Sequence, residues 1–60
     1  MMHWLLILTL TFDGHSRAVP WALLADAAAC QLTGGAVVAA LEAAVPGLVV
    51  TAICAPEATA

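Results

Sequence analysis

The sequence predicts an α+β fold, ββαβ in order, with a three-stranded antiparallel sheet and one helix on one face. Three observations carry this expectation. The run Trp4 to Phe12 is rich in branched and aromatic residues and stops at Asp13-Gly14, a strong turn dipeptide. An alanine-rich segment opening at Asp26 repeats apolar residues at spacings of three and four until Pro46-Gly47. The β-branched run Leu48 to Cys54 comes directly after it. With 60 residues the chain is one small domain, 1–60. A domain of this size buries only about 60% of the surface its unfolded chain exposes, so its stability is marginal without a crosslink or a partner.

The first strand is placed at about 3–12. Strict alternation puts Trp4, Leu6, Leu8, Leu10 and Phe12 on one face and His3, Leu5, Ile7, Thr9 and Thr11 on the other. Apolar residues on both faces predict a central position. The second strand, about 16–22, contains Pro20, which confines it to an edge because proline has no N–H to donate. A two-residue loop would carry His15 and Arg17 onto the all-apolar face. A three-residue loop, Asp13-Gly14-His15, sends Arg17, Val19 and Trp21 to the opposite face and is the expectation adopted.

The helix is placed at about 26–45, capped by the Asp26 carboxylate and ended by Pro46, which pushes its predecessor out of the helical region. Cys30, Gly34, Val37, Val38, Leu41 and Val45 form its apolar face. Gly34 and Gly35 each cost roughly 1 kcal/mol against alanine in a helix interior. The structural reading of Gly34 is close approach of the helix to the sheet, and the alternative is a break into two short helices. The last strand, about 48–54, is stopped by Pro56 and leaves a tail, 55–60. If Cys54 faces Cys30 on the helix, Val49, Thr51 and Ile53 must face away.

Those residues carry a resemblance. Cys30-Gln31-Leu32-Thr33-Gly34, Cys54-Ala55-Pro56 and the Pro46-Gly47 break are similar to features of a group of very short, uncharacterised bacterial and phage-borne proteins. Members open with an apolar strand, carry Cys-x-x-x-Gly in the helix and finish on a strand ending in Cys-x-Pro. The resemblance covers most of the chain and implies the fold and a Cys30 to Cys54 disulfide, but no activity and no binding residues. This chain departs from the pattern in its alanine-heavy helix exterior. Closing a loop of about 25 residues is worth on the order of 3.5 kcal/mol, comparable with the whole stability of so small a core. The alternative is a pair of buried free thiols behaving as small hydrophobes. A formed disulfide implies a periplasmic or extracellular setting, and reduced thiols a cytoplasmic one.

Composition limits function. The chain has four acids, Arg17 as its one base and a net charge of −3. Nucleic-acid binding needs clustered Lys and Arg to displace counterions from phosphates, so that class is set aside. With 65% hydrophobic and 8% charged residues, either a dense core or a membrane peptide fits. The longest charge-free stretch, Ala27 to Leu41, is short of the roughly 20 residues a spanning helix needs, and Glu42 and Pro46-Gly47 prevent its extension toward the C-terminus. Met1 to Phe12 lacks both a basic residue before the apolar run and a small-x-small cleavage site after it. His3, His15, Cys30 and Cys54 are not spaced in the close pairs typical of zinc sites, so no metal or other cofactor is expected. Asp13, His15 and Ser16 lie along one turn, where they cannot converge on a reacting atom, and the cysteines are not a Cys-x-x-Cys pair, so no enzyme is expected.

The remaining clue is the sheet face turned away from the helix. It is predicted to present Leu5, Ile7, Val19, Trp21, Val49 and Ile53, flanked by Thr9, Thr11 and Thr51. A contiguous apolar patch with a polar rim marks contact with another molecule. The expectation is a disulfide-tied interaction module that binds a protein partner or pairs with itself. A membrane-active or membrane-anchored micropeptide is the alternative.

Overall fold

The computed structural model describes residues 2–58. In chain order the elements are β1 (Met2–Phe12), β2 (His15–Leu24), α1 (Ala27–Ala44) and β3 (Val49–Ala58). The strands form one antiparallel sheet in the order β2-β1-β3, and the helix lies on one face of it. This is the ββαβ layout with the first strand in the middle.

The hairpin turn differs from expectation. Phe12 stands opposite His15, and Asp13 and Gly14 both have positive φ, 52° and 79°, so the turn has two residues. Such a turn matches the right-handed twist of the flanking strands and needs left-handed backbone at both central positions, which Asp-Gly tolerates. A three-residue loop would place its left-handed residue third, at His15, where a Cβ opposes it. Arg17 therefore pairs with Leu10 and Val19 with Leu8, on the helix side. Val19 is thus not part of the outer face. The register then shifts between Leu6, opposite Ala22, and Ile7, opposite Pro20. Trp21 is the extra residue of this bulge. The bulge restores the phase that the short turn inverted: Ala22 and Leu24 come to the helix side, and alternation turns Trp21 and Leu23 outward.

The helix begins where Asp26, in extended backbone at φ −148°, accepts a hydrogen bond at Oδ1 from the Ala29 N–H at 2.7 Å. That bond satisfies one of the free amides of the first turn. The helix then runs unbroken through Gly34 and Gly35. A Cβ built on Gly34 would lie 3.0 Å from Ala52 Cβ and 3.1 Å from Leu6 Cδ1, so close approach to the sheet is the reason for glycine here. Val45 leaves the helix before Pro46, its N–H still donating to the Leu41 carbonyl. Gly47 at φ +88° and a Leu48 N–H to Val45 carbonyl bond turn the chain into β3.

The last strand continues past Pro56 to Ala58, rather than ending at Cys54. The physical reason is the direction of the missing donor. The Val50 N–H donates to Glu42 Oε2 at 3.1 Å, so it points away from β1. Antiparallel ladders alternate, so Ala52, Cys54 and Pro56 turn their nitrogens the same way. Pro56 faces the free edge and takes no bond from the ladder.

The core is small. Leu6, Leu8, Cys30 and Val50 are buried, with Trp4, Leu10, Leu24, Val37, Val38, Leu41, Leu48, Ala52 and Cys54 packed around them. Cys30 and Cys54 form a disulfide with Cα atoms 6.2 Å apart, within the usual range for such a bond. It joins α1 to β3 beside the Gly34 and Ala52 contact, at the middle of the core.

Candidate interaction face

Strand register defines the surface opposite α1 row by row. One row holds Leu23, Leu5 and Ala55, and the next Pro20, Ile7 and Ile53, with Trp21 bulged beside Pro20. Nearer the hairpin turn lie Ala18, Thr9 and Thr51, then Ser16, Thr11 and Val49. The face thus grades from apolar at one end to hydroxyl-bearing at the other. Thr11 Oγ1 and Ser16 Oγ hydrogen bond to each other at 2.9 Å, which reduces the demand of that end for water.

Leu5 and Ile7 are half-buried by the flanking strands, while the outer strands leave Val49, Leu23, Trp21 and Ile53 about half exposed. Most of the charge is kept off this surface. Asp13 sits in the turn, Asp26 caps the helix, Glu42 lies on the helix and Arg17 is on the helix side. Glu57 is the only acid among the described residues on the outer face, at its margin opposite His3.

Of the residues expected here, the structure brings together Leu5, Ile7, Trp21, Val49 and Ile53, with Thr9, Thr11 and Thr51 beside them. Leu23, Pro20 and Ala55 also belong to the face, beyond the sequence expectation. Leu23 and Ala55 lie past the strand ends that breaker residues indicate, and the bulge that turns Leu23 outward has no signal except the proline within it.

Among the described residues no three of His, Cys, Asp and Glu gather as metal ligands, no cavity is present, and both cysteines are committed to the disulfide. The outer face offers apolar area, aromatic contact from Trp21 and a few hydroxyls. The opposite side of the molecule is apolar in a different way. The helix exterior exposes Leu32 and several alanines, and α1, 18 residues with a mean hydropathy of 1.4, is long and apolar enough to cross a bilayer. Comparison with protein-family models, curated proteins and solved structures found no match.

Proposed function

We propose that this protein is a disulfide-tied interaction module, without catalytic activity, whose contact surface is the open outer face of the sheet. The observation that supports this most is the segregation of charge. A face spanning all three strands, with Glu57 at its margin as its one acid among the described residues, carries Trp21, Leu23, Val49 and Ile53 half exposed, while Asp13, Asp26 and Glu42 are placed at the turn and the helix ends. Partly exposed apolar and aromatic residues grouped on one side are what a partner covers. The disulfide holds α1 against the other side, so the face is presented on a fixed frame.

The test is photo-crosslinking in the native host, with benzoyl-phenylalanine at Val49 on the outer face or at Leu32 on the helix exterior. Adducts should form from Val49 and not from Leu32. Adducts from Leu32 alone, or from neither position, would sink the assignment of the sheet face.

A second reading, membrane attachment, draws on α1: its length, its hydropathy and an exterior on which Glu42 is the one charged side chain. Glu42 is engaged with Val50, and the helix is tied covalently to β3, so insertion would have to carry or unfold the sheet. Recovery in the aqueous fraction without detergent, with the disulfide intact, removes this reading.

A further inference from the structure

We infer that the disulfide between Cys30 and Cys54 is a redox switch: a dithiol reductant enters at Cys54 from the edge of β3, and the fold comes apart once the bond is open. This goes beyond the contact role of the outer face and needs no occupant there. Three features of the molecule point to it.

The first is the place of the crosslink. Cys30 is fully buried and is one of the four buried residues of the core, so the sulfur pair both fills the core and fastens it. In a core this small the crosslink contributes about as much as the whole stability, so opening it changes the state of the entire chain rather than of one loop.

The second is the attachment of α1. The helix lies along β3 and is tied to that strand toward both of its ends, by Cys30 to Cys54 near its start and by Glu42 to the Val50 N–H near its finish, with Gly34 close to Ala52 between them. Most of its outer surface is exposed. With the disulfide open, the Glu42 hydrogen bond and the packing of half-buried Val37, Val38 and Leu41 are left to hold it. Release of α1 uncovers Leu6, Leu8 and Val50, which are buried beneath it.

The third is access. In the order β2-β1-β3 the last strand has a free edge, and the Cys54 amide points toward it. Cys54 is half-buried, whereas Cys30 is shielded completely. A thiolate can therefore reach Cys54 without prior unfolding.

The exchange takes two steps. One thiolate of the dithiol attacks Cys54 Sγ and forms a mixed disulfide, while the bond to Cys30 breaks and its electron pair leaves on Cys30 Sγ, which takes a proton from solvent. The second thiolate then attacks the reductant's own sulfur in the mixed disulfide, closing the reductant to a disulfide and releasing Cys54, which is protonated in turn. The protein gains two electrons and two protons, and the dithiol loses them. By linkage, folding favours the crosslink by the factor with which the crosslink favours folding, up to about 300-fold for a loop of this length.

The experiment is reduction of the oxidised full chain by dithiothreitol. Thiol release is read by alkylation and intact mass, helix content by circular dichroism, and the core by Trp4 emission in a Trp21→Phe variant, which removes the other tryptophan. The rate should rise in proportion to the reductant and stay flat in sub-denaturing urea. An acid-quenched reaction with the monothiol glutathione should carry the adduct on Cys54. Thiol release, helix loss and a red shift of Trp4 should coincide, and oxidised dithiothreitol should reverse all three. In mixed redox buffers the native chain should need up to about 300-fold more reducing conditions than the same chain in concentrated urea. A rate that climbs steeply with urea would overturn the inference, because the bond would then open only after global unfolding. An adduct on Cys30, a reduced chain that keeps its helix and its Trp4 emission, or equal redox midpoints for native and urea-unfolded chain would overturn it equally. None of these outcomes bears on the outer face, which the crosslinking from Val49 tests separately.

Discussion

Gly34 provides the sharpest test of how the two layers are held together. In most helices, replacing an interior glycine by alanine stabilises by about 1 kcal/mol because the backbone has less entropy to lose. At Gly34 the new methyl would stand 3.0 Å from Ala52 Cβ and 3.1 Å from Leu6 Cδ1. Ala52 Cβ moves only with its backbone, and Leu6 is fully buried, so neither neighbour yields cheaply. Overpacking of this kind costs roughly 1–3 kcal/mol, which cancels or exceeds the gain. Gly35 is an internal control, since a methyl there meets nothing within 4 Å. Gly35→Ala should raise stability by about 1 kcal/mol, and Gly34→Ala should be neutral or destabilising by up to about 2 kcal/mol. The contrast between them, about 2 kcal/mol, corresponds to a gap of roughly 8–16 °C in Tm for a domain of this size. Thermal unfolding of the oxidised variants followed by circular dichroism measures it. Adding Ala52→Gly to Gly34→Ala should recover part of the loss through direct coupling of the pair. Equal stabilisation by both alanines would show that α1 does not press on β3 at Gly34, and the close-approach account would fall.

The disulfide should contribute on the order of 3.5 kcal/mol, so reduction, or replacement of both Cys30 and Cys54 by alanine, should leave the chain largely unfolded at room temperature in a urea titration. Unchanged midpoints with and without reductant would remove its structural role. Asp26→Ala deletes the acceptor for the Ala29 N–H and should cost about 1 kcal/mol, whereas Asp26→Asn should retain most of it, both read from denaturant midpoints. Gly14→Ala places a Cβ at φ +79° and should cost roughly 1–2 kcal/mol and loosen the hairpin, seen as faster amide exchange at His15. Pro56→Thr returns a donor to the free edge of β3, so it should raise concentration-dependent fibril formation in a thioflavin assay without lowering Tm.

Where a residue's chemistry decides its conformation by itself, the sequence was a reliable guide. Asp13-Gly14 marks the hairpin, the Asp26 carboxylate fixes the helix start, and Pro46 with Gly47 ends it, because each acts over a few neighbouring residues. Gly34 was legible as a close approach because it shares the apolar stripe with Cys30, one turn away. The phase of β2 was not. It depends on two departures from simple alternation, a two-residue turn that inverts the strand and a bulge at Pro20-Trp21 that inverts it back. Trp21 reaches the outer side because the bulge offsets the short turn, whereas Val19, lying between the two, stays on the helix side. The extent of β3 was hidden for a similar reason: whether a proline stops an edge strand depends on which way its missing N–H would point, and ladder parity rather than composition decides that.

The same parity connects the disulfide to the way the molecule can associate. Cys54 turns its side chain inward to Cys30, which obliges Val49, Thr51 and Ile53 to face outward. It also belongs to the set of β3 residues whose amides face the free edge. Along that set Val50 is engaged by Glu42 and Pro56 has no N–H, so Ala52 and Cys54 are left as the donors between them. On the other edge, Phe12 and His15 close the two-residue turn as a bonded pair, so alternation places Ile7 and Pro20 in a non-bonded pair. The missing N–H of Pro20 therefore also falls on the free edge, next to a bulge that twists the strand. Both edges are poor templates for an added strand, which is how natural sheets avoid open-ended edge pairing. The outer face carries no comparable obstacle: no proline-and-charge barrier crosses it, and its one acid lies at the margin. Each edge is interrupted by a proline rather than closed, so edge pairing is opposed on both sides of the sheet, and the outer face is left as the surface on which the proposed contact is to be sought.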